Sequence, residues 1–164
     1  MGERLSVGAL MDRTPYSISE DETLLMAWEV CERSRQCHVP VVRQDGCCAG
    51  VLDRAELAVA CGDPAVTLSC KRVRDLVHGR RTVTVHAEDS VVRAAAVMTE
   101  ECLDALPVTD PHGKLVGLVT ARDYVAWAAR LHSRAMPVSQ GPARATLPGL
   151  PPRRSARERG IVVP

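Results

Sequence analysis

The chain has 164 residues, 46% hydrophobic and 25% charged, a soluble globular balance with room for one ordinary domain or two small ones sharing a core. Aromatics make up 2% with no Phe, so Val, Leu, Ala, Met and Cys must build the core, and the stacking platforms of single-stranded nucleic acid binders are missing. The net charge of +1 divides into +5 on residues 133–164 and −4 on the rest, so the body lacks the basic footprint of a duplex binder.

In chain order, Val7 to Met11 reads as a short lead-in and Tyr16-Ser17-Ile18 as a short strand. Ser19-Glu20-Asp21-Glu22 has the form of a full capping box, opening a helix with Leu24, Ala27, Trp28 and Cys31 on one face. Val39–Arg43 and Cys48–Leu52 form a predicted hairpin about an Asp45-Gly46 turn. Asp53-Arg54-Ala55-Glu56 starts a second helix that ends near Gly62. The order then recurs. Val73–Val77 is a lead-in, Thr82–His86 a strand, and Val91, Ala94, Ala95 and Met98 a helical face. Leu106–Thr109 and Leu115–Thr120 are strands about the turn at 110–114, and after Thr120 the apolar spacing turns helical at Ala121, Tyr124, Val125, Ala128 and Leu131.

The recurrence is a true internal repeat. An offset of 67 carries Pro40 to Pro107, Gly46 to Gly113 and Gly50 to Gly117. Each copy reads β-α-β-β-α, giving an α+β fold in which two small sheets pack face to face with pseudo-two-fold symmetry. The expected domains are residues 1–64 and 65–132, followed by a Pro- and Arg-rich tail at 133–164 that reads as disordered. No apolar run approaches the ~18 residues of a membrane span, and no signal pattern opens the chain, so the cytoplasm is expected. Met1 to Ser6 matches myristoylation spacing, a short motif of low specificity.

The joint between the last strand and last helix, Thr120-Ala121-Arg122-Asp123, is where the chemistry is placed. A helix N-terminus has unpaired amides and a partial positive charge that favour an anion such as phosphate. A Thr hydroxyl adds a hydrogen bond, and a carboxylate one turn in takes both hydroxyls of a ribose. The same Thr-x-x-Asp spacing also describes a cap that merely satisfies the helix end. In the first copy Asp53 stands for Thr120 and Glu56 for Asp123. Two like charges ~4 Å apart cost on the order of 4 kcal/mol at an effective dielectric near 20, more than one hydrogen bond returns. The first site is therefore expected to refuse phosphorylated ligands.

Val-Pro-Val-Val and Leu-Pro-Val-Thr, Asp-Gly and His-Gly, and Gly-Leu-Val-Thr-Ala-Arg-Asp, in this order and duplicated, resemble tandem CBS domains (a Bateman module) over residues 5–132. The resemblance implies an adenosine ligand between the repeats: AMP, ADP or ATP, or S-adenosylmethionine or NAD. It implies phosphate contact at Thr120, ribose contact at Asp123, Arg122 as a phosphate clamp, and an adenine pocket lined by Val83, Thr84, Leu106 and Pro107. Arg80 and Arg81 are further candidates for phosphate, and Tyr16, Cys37 and His38 would line the first cleft. It also implies a regulatory sensor, a homodimer with Tyr124 and Trp127 as contact candidates, and a regulated protein that the sequence does not name. Neither nucleic acid nor membrane is an expected partner.

Two other readings stay open: a ligand-free scaffold, and a thiol or metal sensor. Seven Cys occur without any Cys-x-x-Cys pair, so they read as small apolar fillers, with Cys37-His38 and Cys47-Cys48 as the alternative cluster. No metal site is assigned. The chain shows no nucleophile elbow, paired-His motif or Gly-rich phosphate loop, so it is not read as an enzyme.

Overall fold

The structure, a computed structural model, describes residues 5–62 and 65–135. Residues 133–135 of the tail expected to be disordered close the last helix instead, and the rest of that tail and the Met1–Arg4 part of the myristoylation spacing lie outside the described residues. The first copy has α1 (Val7–Leu10), β1 (Ile18–Ser19), α2 (Leu24–Ser34), β2 (His38–Val42), β3 (Cys48–Asp53) and α3 (Arg54–Ala60). After α4 (Ala65–Cys70) come α5 (Arg74–Val77), α6 (Val91–Glu100), β4 (Ala105–Thr109), β5 (Leu115–Thr120) and α7 (Ala121–Ala135).

The first sheet is mixed, β1 parallel to β2 and β2 antiparallel to β3. The second has only β4 and β5 as full strands. The strand expected over Thr82–His86 is reduced to one parallel bridge, Val85 to Val108. Side chains explain the loss. In the first copy Glu20 N–H donates to the Val42 carbonyl at 3.0 Å, extending the ladder. The equivalent carbonyl, on Thr109, instead meets the His86 ring at 2.8 Å, and His86 N–H is drawn to the Asp89 carboxylate at 2.8 Å.

The start of α2 also differs from expectation. Its cap is Thr23, whose hydroxyl accepts from Met26 N–H at 3.2 Å, whereas Ser19 closes a turn by accepting from Asp21 N–H. Residues 20–22 are held by a different element. The Glu20 and Glu22 carbonyls accept from Arg74 and Val73 N–H, each at 2.9 Å. The lead-in segments are thus exchanged. Val73 and Val77 complete the core around Leu24, Val39, Leu52 and Leu57, while Val7 and Met11 complete the core around Val85, Leu106, Val108 and Val119. Neither core is whole without the other copy's lead-in, which couples the halves.

At the hairpin tips, Cys48 N–H donates to the Gly113 carbonyl (2.9 Å) and Leu115 N–H to the Gly46 carbonyl (3.2 Å). The offset of 67 interconverts these two bonds, so they mark the pseudo-two-fold axis. Gly46 and Gly113 have φ of 83° and 82°, a left-handed turn geometry that glycine adopts without strain. Asp45 and Asp110 brace the turns. Asp45 accepts from Cys47 N–H at 2.8 Å, and Asp110 accepts from His112 and Lys114 N–H at 2.8 and 2.9 Å. These amide bonds hold both carboxyls below the ordinary Asp range. A depressed carboxyl contributes stability above its unfolded value, lost as pH falls through the folded one. Stability is therefore expected to decline below about pH 4, and Asp110→Asn should flatten that decline in acid denaturation curves.

Candidate functional site

The two strand-to-helix joints look alike in sequence and differ in what their atoms already hold. At the first, Asp53 and Glu56 form a full capping box. Asp53 accepts from Ala55 N–H at 2.5 Å, and Glu56 Oε2 accepts from Asp53 N–H at 3.4 Å. The other oxygen of Glu56 receives Arg80 at 2.6 Å, and Asp53 Oδ2 lies 3.1 Å from His38 Nε2. Both carboxylates are engaged, and a negative charge sits on the amides of α3.

At the second joint Asp123 Oδ2 takes both Thr120 N–H (2.8 Å) and the Thr120 hydroxyl (2.7 Å). Among the described residues no side chain accepts from Arg122 or Asp123 N–H, and Asp123 Oδ1 has no partner. The N-terminus of α7 therefore keeps free amides, a hydroxyl with open lone pairs and half a carboxylate. This is the donor and acceptor set that a phosphorylated ribose uses.

The remaining expected site residues do not gather there. Val83 and Pro107 line the first-copy cleft, two adjoining hollows of about 140 and 250 Å³ that share Val51, Arg80, Leu103 and Ala105 as walls. Asp53, Glu56 and His38 face the larger hollow, and Arg81 and Thr82 the smaller. Neither Thr120 nor Asp123 lines either one. Leu106 is fully buried in the second core. Side chains alternate along a strand, so Leu106 and Pro107 face opposite sides of β4. Thr84 is exposed and outside the hollows, for the same reason relative to Val83. Arg122 is exposed and makes no ion pair or side-chain hydrogen bond among the described residues.

Arg80, a candidate for phosphate, lies in the first cleft and not beside Thr120, and is ion-paired there to Glu56 at 2.6 Å. Arg13, at the same position of the first copy, turns back to the Gly8 carbonyl at 2.7 Å and leaves Asp123 without such a pair. Tyr16 is 65% exposed and lines a hollow against α2 with Met26 and Glu29, away from the first cleft. Tyr124 donates its hydroxyl to the Val91 carbonyl at 2.9 Å, and burial together with the Asp123 charge pushes its pKa up. Trp127 is half-buried on α7.

The alternative cysteine cluster does not assemble. The His38 ring is at Asp53, Cys47 Sγ lies 3.5 Å from the His112 carbonyl, and Cys37 is exposed. Among the described residues no group of three or more His, Cys, Asp or Glu is placed to hold a metal. Burial pushes the Cys31 and Cys48 thiols up and covers them. Native-state labelling with a thiol reagent should modify Cys37, Cys70 and Cys102 rapidly, and Cys31 and Cys48 only on denaturation. Mass mapping checks this, and fast modification of Cys48 would contradict its burial.

A family model described as CBS domain matches residues 7–63 and 73–130. The homoserine O-acetyltransferase of Methanococcoides burtonii is 27% identical over 118 residues, 72% of this chain and 23% of that enzyme. The chain thus spans under a quarter of the length of the first curated relatives it matches. Among solved structures, the CBS domain pair of protein MJ0100 in complex with 5′-methylthioadenosine and S-adenosyl-L-methionine superposes with TM-score 0.65 at 20% identity, covering 75% of this chain and 98% of that one. CBSX2 in complex with AMP gives 0.66 at 22%, covering 77% and 98%.

Proposed function

The chain belongs to the CBS domain family, with two domains in tandem, and from that premise we propose a regulatory module that senses an adenosine-containing ligand in the crevice between its repeats. The observation that carries this reading is the contrast at the two helix starts. The Arg122 and Asp123 amides of α7 take no side-chain acceptor among the described residues, whereas the Ala55 amide at the start of α3 is covered by the Asp53 carboxylate. The ligand class is the adenine nucleotides, AMP, ADP or ATP, with phosphate at Thr120 and ribose at Asp123 Oδ1. The solved pairs bound to AMP and to S-adenosylmethionine support that class.

In this reading Arg122 closes over the phosphate, and the wall facing Asp123 is the first copy's Arg13 and Gln36, which stand where Arg80 and Leu103 stand in the first cleft. The module regulates a partner rather than catalysing a reaction. The homoserine O-acetyltransferase of Methanococcoides burtonii is matched over only 23% of its length. No described helix is long and apolar enough to cross a membrane, and a cytoplasmic role is proposed. A homodimer through the helices is supported by Val59, Val125 and Leu131, which are 82%, 69% and 50% exposed on α3 and α7.

Thermal denaturation with and without AMP, ATP and S-adenosylmethionine tests the proposal. A ligand at 100 times its Kd adds about 2.7 kcal/mol, a rise of roughly 8 °C for a domain of this size. A midpoint that none of the three moves would leave the scaffold role in its place.

A further inference from the structure

A hollow of about 450 Å³ lies between α6 and α7, adjoining the first cleft through Cys102, Leu103 and Asp104 and lined by neither Thr120 nor Asp123. Its walls are Ala95, Met98, Thr99, Leu103, Ala121 and Tyr124, completed by Cys102 and Asp104. The internal repeat shows what fills the same place in the first copy. The offset of 67 carries Trp28 to Ala95, Arg54 to Ala121 and Glu32 to Thr99. There the Trp28 ring packs on the first core, with the Arg54 guanidinium 5.8 Å from its centroid and ion-paired to Glu32. A ring, a cation and a carboxylate form one unit wedged between α2 and α3.

The second copy has lost all three at once while keeping the frame. Tyr124 ties α7 to α6 through the Val91 carbonyl at 2.9 Å, and the Thr99 hydroxyl is turned inward to the Ala95 carbonyl at 2.9 Å. What remains is a mostly apolar hollow with few polar groups, of the size that ligand pockets have. One of those groups is unused: the exposed Asp104 carboxylate takes no hydrogen bond or ion pair among the described residues.

We propose that this hollow binds a small planar aromatic molecule of indole size that carries a positive charge, with the ring between Ala95 and Ala121 and the charge at Asp104. The ring replaces the apolar area that Trp28 supplies in the first copy, an aromatic burial that dominates the energetics of such sites. The cation replaces Arg54, and Asp104 takes the part of its counter-charge.

Tryptamine titrated into the isotope-labelled full chain, followed by NMR, tests this. Binding in the millimolar range expected of so small a fragment should perturb amides of α6 and α7. Indole-3-acetate, with the same ring and the opposite charge, should bind several-fold more weakly, and the difference should shrink with salt. Asp104→Asn should weaken tryptamine about three-fold, as loss of an exposed ion pair does. Ala95→Trp should refill the hollow and abolish binding without lowering the melting midpoint. If that variant does not fold, Ala121→Leu blocks the same space from α7. Tryptamine that binds the filled variant as tightly as the wild type, or that perturbs no amide of α6, would overturn the proposal.

Discussion

Asp123→Ala is expected to erase the adenosine-ligand stabilisation, while Asp53→Ala leaves it intact. Asp123 Oδ1 takes no hydrogen bond among the described residues, and its Oδ2 positions Thr120 by bonding both N–H and hydroxyl. Removing the carboxyl takes away the proposed ribose acceptor and frees the Thr120 hydroxyl to rotate. The full ligand-induced rise, about 2.7 kcal/mol at 100 times Kd, should vanish. The variant also loses the cap on α7 and about 1 kcal/mol of intrinsic stability, so the comparison is each protein with and without ligand. Asp53→Ala acts at the first joint, which the proposal leaves without phosphate and where Glu56 is held by Asp53 N–H and Arg80. Calorimetric titration and melting curves measure both. Equal losses in the two variants would refute the assignment of the second joint as the binding one.

The second large effect is on stability. Gly117 belongs to the Gly-Leu-Val-Thr stretch that leads into the joint, but its role is steric. A Cβ there would lie 2.6 Å from Met11 Sδ and 2.8 Å from the Asp12 carbonyl oxygen. That carbonyl accepts from Leu118 N–H at 2.9 Å, and Asp12 N–H donates to Leu118 at 2.8 Å. Gly117→Val should push Met11 out of the second core and break this bridge. Overpacking costs about 1–3 kcal/mol and each lost hydrogen bond about 1, so roughly 3–4 kcal/mol is expected, a large share of a typical domain's stability. Gly50 is the same position in the first copy, and its Cβ would meet only Val77, at 3.5 Å. Its φ of +156° makes Gly50→Ala cost about 1 kcal/mol for backbone reasons alone. Urea denaturation of both variants separates the two causes. A Gly117→Val protein as stable as Gly50→Ala would mean that the lead-in does not lie across β5.

The first effect sits in a joint of four residues and the second in a contact between segments far apart in the chain, and that divides what the residues announced from what they did not. The duplication, the β-α-β-β-α order, the hairpin turns at Asp45-Gly46 and His112-Gly113, and the acid-for-Thr exchange at the first joint are all local patterns. Period-2 and period-3.6 spacing and turn chemistry act within a few residues, so they are legible without coordinates. The sequence by itself therefore determined the family, the two-fold plan and the contrast between Thr120 and Asp53.

Tertiary structure alone decided which wall faces which joint. Val83 and Pro107 were expected beside Thr120 because they share its repeat, yet they line the cleft that Asp53 and Glu56 face. The cause is the packing of the two sheets about a pseudo-two-fold axis, which sets one copy's strands against the other copy's joint. The same long-range pairing took Glu20 and Glu22 for the second lead-in and moved the cap of α2 to Thr23. A capping box forms only where its backbone is not already claimed, and no window of neighbouring residues reports that.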